Sequence, residues 1–173
     1  MASSAVLQGM PPVLSPATRL VILGSFPGVA SLRARQYYGH PQNQFWRLLA
    51  TLLTDDASAL LQAPYAERLR WLLAQGLGVW DVYASCEREG SLDRAIRAPV
   101  LNDLASLRVH CPQLAALAHN GGESFRHARH TQALGLPVYR LPSSSPANAS
   151  WSFERKLAAW REVLQHAGCL TQR

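Results

Sequence analysis

Lysine is nearly absent from this 173-residue chain: of its 17 basic residues, all but Lys156 are arginine. With that one amine inside an apparent helix, imine chemistry on a lysine is not expected. Charge is sparse as well, 16% of residues against 48% hydrophobic. A chain so composed has apolar surface to fill a core and does not read as a disordered tail. Cys86, Cys111 and Cys169 lie far apart, which excludes a CxxC zinc site and leaves too few thiolates for a four-cysteine cluster. They are expected to be inert buried thiols. The histidines, His40, His110, His119, His127, His130 and His166, have no metal-ligand pattern either. Even His127 and His130, three apart, lack a third ligand nearby in sequence, so no metal and no cofactor is expected. No run approaches the roughly 18 apolar residues of a membrane span, and the opening residues lack the basic start and apolar stretch of a signal peptide. These absences point to a cytoplasmic protein, expected to be bacterial and monomeric.

What is present is one domain's worth of chain and a net charge of +6 carried by arginine. The guanidinium fork suits phosphate oxygens, so nucleic acid is a reasonable partner for such a domain. Residues 1–18, rich in Ala, Ser and Pro without a sustained period, read as a loose N-terminal arm; residues 19–173 read as a single domain. Four short apolar runs closed by polar or glycine-rich punctuation read as core strands: 19–23, 77–83, 114–118 and 137–141. Helical patterns cover 45–53, 65–74, 101–109 and 123–133. A last helix carries Phe153, Leu157, Trp160, Leu164 and Ala167 at spacings of four and three, behind a Ser150 or Ser152 cap. Strands alternating with helices imply a parallel sheet covered on both faces. Ligands bind such sheets beyond the carboxyl ends of the strands, where the turns 24–28, 120–122 and 142–148 converge.

The first of these turns, Gly24-Ser25-Phe26-Pro27-Gly28, matches neither of the common glycine-rich nucleotide loops. The stretch from Gln36 to Trp46 packs Tyr37, Tyr38, Phe45 and Trp46 among the amides Gln42, Asn43 and Gln44. Aromatic faces stack on bases and amides read base edges; the same residues also suit a core with Asn43 capping the next helix.

Taken with Gly78-Val79-Trp80-Asp81-Val82, the run from Arg88 to Asp93, Asn120-Gly121, and the run from Leu141 to Ala149, these motifs resemble the uracil-DNA glycosylase superfamily. More narrowly, they resemble its hypoxanthine-DNA (deoxyinosine) glycosylases, over roughly residues 18–167. The resemblance implies a three-layer α/β/α sandwich around a four-stranded parallel sheet. It also implies removal of deaminated bases from DNA: hypoxanthine first, with uracil or xanthine as alternative main substrates. Two departures bear on mechanism. Where related branches carry an Asn or an Asp in the first turn, this chain has Ser25-Phe26-Pro27, and Leu141 stands where the uracil-specific branch has a histidine. Those absences also leave room for a catalytically silent domain that binds damaged or single-stranded DNA.

The hypoxanthine branch places its catalytic amide at Asn43. There the carbonyl can accept from an attacking water, or the NH₂ can donate to a purine nitrogen as charge grows on the leaving base. The resemblance makes Tyr38 the stacking face for the flipped base and Asn120 the reader of its edge. Gly24, Ser25, Phe26 and Pro27 complete the base pocket. Ser143, Ser144, Ser145, Pro146, Ala147 and Asn148 form the loop that probes DNA, without a large apolar wedge. Asp81, Glu87, Glu89 and Asp93 include a base or a structural pair; the 88–93 segment is expected to support the pocket, with no proton-transfer role assigned. Arg126, Arg129 and Arg140 are candidates for a phosphate-facing patch.

Overall fold

The structure, a computed structural model, describes residues 5–171. Strands β2 (Leu20–Gly24), β3 (Leu77–Asp81), β6 (Ala116–Asn120) and β7 (Val138–Leu141) form a parallel sheet in the order β3-β2-β6-β7. Strand β2 is buried along its whole length, as a strand covered on both faces must be, and its pleat divides its side chains between two cores. Leu20 and Ile22 face a cluster with Phe45, Leu48, Leu49 and Trp160. Val21 and Leu23 face another with Phe26, Trp80, Leu107 and Leu117.

The first cluster is closed by α2 (Phe45–Leu53), α4 (Tyr65–Ala74) and α8 (Phe153–His166). Ser152 caps α8, its hydroxyl accepting from the Arg155 N–H at 3.2 Å. Short helices α1 (Val29–Ala34), α3 (Ala57–Gln62), α5 (Leu107–His110), α6 (Gly122–Phe125) and α7 (Ala128–Gln132) fill the remaining connections. No helix among the described residues is long and apolar enough to cross a membrane. Among the same residues, no group of three or more His, Cys, Asp or Glu side chains gathers as a metal site. Cys86 and Cys111 are buried; Cys169 is only half-buried, and all three are free.

Several local expectations give way to tertiary pairing. The run 77–83 is two strands, because Val82 turns the chain out of the parallel sheet and Tyr83 opens β4 (Tyr83–Glu87) in a second, antiparallel sheet. The helix expected over 101–109 begins only at Leu104, as a single tight turn. Leu101 ends β5 (Arg97–Leu101), paired with Tyr83, and Asn102 ties back to the Asp81 carbonyl at 2.8 Å. The helix expected over 123–133 is interrupted at His127, whose ring is held 2.8 Å from the Tyr83 hydroxyl. The expected strand 114–118 runs two residues later. The arm is not loose where it is described: β1 (Val6–Gln8) pairs with β4, and Val13 bridges to Val79. Its residues 1–4, and 172–173 at the other end, lie outside the described residues.

Candidate active site

Register aligns the carboxyl ends of the parallel strands, Gly24 opposite Asp81 and Asn120 opposite Leu141. A cleft of about 1030 Å³ opens beyond them. Every residue expected at the site lines it: Gly24, Ser25, Phe26 and Pro27; Tyr38, Asn43 and Asn120; and Ser143 through Asn148. A smaller cavity near Asn102 and His130 contains none of them.

The segment 88–93 buttresses the first turn at three points. The Arg88 guanidinium donates to the Pro27 carbonyl, Ser91 Oγ accepts from the Val29 N–H at 2.9 Å, and Ser25 Oγ donates to Asp93 Oδ1 at 2.6 Å. Phe26 itself belongs to the second core, with the Arg88 guanidinium 5.4 Å above its ring.

Asn43 precedes α2, and its Oδ1 accepts from the Phe45 N–H at 3.0 Å. That bond occupies one lone pair, so the second lone pair and both N–H donors of the amide remain available to a ligand. Tyr38 has a left-handed backbone, φ 55°, which costs a side-chain-bearing residue on the order of 1–3 kcal/mol. Its neighbours hold it there: Tyr65 Oη accepts from the Tyr37 N–H at 2.9 Å, the Trp46 indole donates to the Tyr37 carbonyl at 3.0 Å, and Ser31 Oγ accepts from the Gly39 N–H at 3.0 Å. One face of the Tyr38 ring stacks on Phe45, centroids 3.9 Å apart.

The Asn120 side chain is bonded within the protein. Its Oδ1 accepts from the Ser144 N–H at 3.0 Å, and its Nδ2 donates to Ser144 Oγ at 2.9 Å and Tyr38 Oη at 3.2 Å. Both amide hydrogens are therefore committed within the protein. The turn after it is sharp: Gly121 has φ 97°, and a β-carbon there would stand 3.1 Å from Ser143 Cβ. The 143–148 loop is further held by the Gln44 N–H donating to the Ser144 carbonyl at 2.9 Å and by Asn148 Nδ2 donating to the Ser143 carbonyl at 3.2 Å.

Sequence reasoning missed two residues that line the cleft, Trp151 and Arg94. Trp151, just past the loop, lines the cleft half-buried with the Arg155 guanidinium 4.0 Å over its ring; a large aromatic two residues beyond the motif was the available signal. Arg94 lines the cleft, and so does Arg140, whose guanidinium lies 5.4 Å over the Phe125 ring. Arg126 pairs with Glu123 at 3.2 Å, and Arg129 borders the smaller cavity. Asp81 and Asp93 both line the cleft. Burial, the Asp93 carboxylate and, in opposition, Arg88 bring the Asp81 carboxyl to about 7. Asp93, exposed at the rim, is raised by partial desolvation, while the hydrogen bond from Ser25 draws it back down.

A parallel sheet in this order, the cleft at its carboxyl edge and an amide at the mouth of α2 can be set beside known proteins. The model of the uracil DNA glycosylase superfamily matches residues 11–166. The chain belongs to the uracil DNA glycosylase superfamily. Among the proteins it resembles are two named hypoxanthine DNA glycosylase. One, from Methanosarcina barkeri (strain Fusaro / DSM 804), is 37% identical over 91% of this chain and 98% of its own. The other, from Methanosarcina acetivorans, is 35% identical over 93% and 99%. A solution NMR structure from Methanosarcina acetivorans, named provisionally as a uracil DNA glycosylase, superposes with a TM-score of 0.83. It shares 34% identity and covers 95% of this chain and 99% of its own.

Proposed function

We propose that this glycosylase draws a deaminated base, hypoxanthine first, from duplex DNA into the cleft and hydrolyses its bond to deoxyribose. The products are free base and an abasic site. The observation that carries the reading is Asn43: its cap to Phe45 uses one lone pair and leaves an amide able both to accept from a water and to donate to a leaving purine. No stronger nucleophile is required, because an N-glycosidic bond can loosen toward an oxocarbenium-like sugar before water attacks; what is needed is positioning. Tyr38, braced from behind by Phe45, offers its free face to the base. Asn120 acts by holding Tyr38 and Ser144 in place. Arg94 and Arg140 meet phosphates, and the 143–148 loop with Trp151 meets the strand the base has left.

The reaction stops at hydrolysis. Lys156 is buried, its Nζ donating to Gln44 Oε1 at 2.9 Å, and it does not line the cleft. A monomer acting in the cytoplasm fits this chemistry; the two named relatives are archaeal, so they lend the expected bacterial source no support. The test is incubation of the purified protein with labelled duplexes containing deoxyinosine, deoxyuridine or deoxyxanthosine, then alkali cleavage. Strand breaks only after alkali, fastest with deoxyinosine, are expected; tight binding without breaks on any substrate overturns the reading.

A further inference from the structure

The floor of the cleft holds a carboxyl group that the scheme above does not use. Asp81 is the last residue of β3, 5% exposed, and it lines the cleft. Its Oδ2 is buried without a hydrogen-bond partner. Its Oδ1 lies against the Gly24 backbone, 2.5 Å from where a β-carbon on Gly24 would stand, and Tyr38 Oη is 3.2 Å from the same point. Only glycine at position 24 lets the carboxyl and the phenol flank this strand end together. An unpartnered carboxylate in such a place carries a heavy desolvation cost, which a proton relieves.

We propose that Asp81, through its carboxyl group, is the acid that gives a proton to the oxygen of the flipped base as the glycosidic bond breaks. Deamination puts a carbonyl oxygen where the parent base had an amino group, so hypoxanthine, xanthine and uracil all present this acceptor. The C1′–N bond breaks with its electron pair passing to the base, and the Asp81 proton passes to the base oxygen. Water then bonds to C1′ and releases a proton to solvent. The base returns to its keto form in water, and the Asp81 carboxylate takes up a proton from solvent, so no further reactant is required.

The groups around Asp81 divide the labour between two acids. Asp93 accepts from Ser25 at 2.6 Å and stands at the exposed rim, which suits the ionised form. Asp81, buried, with Asp93 pushing it up and Arg88 opposing, suits the protonated form, at about 7. Tyr37 and Tyr38, on the other side, are both raised above the ordinary tyrosine range by burial first, with the Asp81 charge adding to it. They stay neutral and supply no competing charge.

The inference rests on the glycosylase reading, and single-turnover excision from deoxyinosine duplexes between about pH 5.5 and 9 separates the two. The wild-type rate is expected to fall as pH rises past about 7, approaching tenfold per unit. Asp81→Asn, which keeps the shape but cannot give up a proton, should be at least tenfold slower at pH 6 and lose that fall, with melting and duplex binding retained. Asp93→Asn should keep the fall and move it to lower pH, by removing the charge that, after burial, raises Asp81. An active wild type whose profile survives in Asp81→Asn overturns this inference alone. So does an Asp81 carboxyl carbon that titrates in the ordinary carboxylate range in ¹³C spectra of the wild-type protein, a measurement independent of any variant's folding. A wild type that excises no deaminated base overturns the glycosylase reading and this inference with it.

Discussion

Asn120 and Ser144 are bonded to each other twice, side chain to backbone at 3.0 Å and side chain to side chain at 2.9 Å. The pair sews the end of β6 to the 143–148 loop, and the same amide reaches Tyr38. Asn120→Ala therefore strips a buried Ser144 N–H of its acceptor, a loss of about 1–3 kcal/mol in stability. It should slow excision of every accepted base alike. Comparing single-turnover rates on deoxyinosine and deoxyuridine checks this, since a residue reading the base edge would change their ratio.

At Asn43 a pair of substitutions separates holding the helix from acting on substrate. Asn43→Asp keeps an oxygen for the Phe45 N–H and loses the NH₂ donor; Asn43→Ala loses both. Thermal melting should find Asn43→Ala destabilised by roughly 1 kcal/mol and Asn43→Asp much less. Both should lose most excision while keeping duplex affinity, because a positioned group acts on the transition state more than on backbone binding.

Stability should depend on pH through Asp81 and His119 in opposite directions. The folded state holds Asp81's proton to about 7 against an ordinary 3.8, so its contribution is full below 3.8 and lost as pH rises through about 7. His119, buried between Ser124 and Thr131, is lowered by burial to about 4 from 6.5, so its contribution is present above 6.5 and lost as pH falls toward 4. Asp81→Asn should raise the melting temperature more at pH 8 than at pH 5, with a gain on the order of 4 kcal/mol as its upper bound. Melting curves of both proteins across that range make the comparison.

On the DNA side, Trp151→Ala should weaken binding of a lesion-containing duplex by roughly 1–3 kcal/mol, the worth of an aromatic stack on a base. Binding of undamaged duplex should change little. Arg140→Gln, by contrast, should weaken both and reduce the slope of log affinity against log salt by about one. Fluorescence anisotropy at several salt concentrations distinguishes the two patterns.

The parallel sheet was legible because its strands are continuous apolar runs ending in polar turns, and α2 and α4 because their apolar spacing is helical over their full length. The antiparallel sheet was not: Val6–Gln8 and Arg97–Leu101 are short and largely exposed, and what makes them strands is pairing with β4, which for Val6–Gln8 lies far away in sequence. The candidate site was legible as a set of motifs, and the first turn, Tyr38, Asn43, Asn120 and the 143–148 loop taken from them line one cleft. What the motifs could not convey was direction. Asn120 turns its amide inward to Ser144 and Tyr38, while Asp81, named only among candidates for a base or a structural pair, has a buried carboxyl oxygen with no protein partner. Trp151 lay outside the motif and gained its place only when the chain folded back beside Arg155.

The pairing of Val6 with Glu87 sets an order on synthesis. Strand β1 has no partner until β4 has been made, and closing so long a loop comes late, after the local helices and the β2–β3 pair have formed. A nascent chain stalled before β4 should therefore expose Val6–Gln8 to protease, and one stalled beyond β5 should protect it. Val6–Gln8 would thus wait unpaired until Ser85–Glu87 had been made.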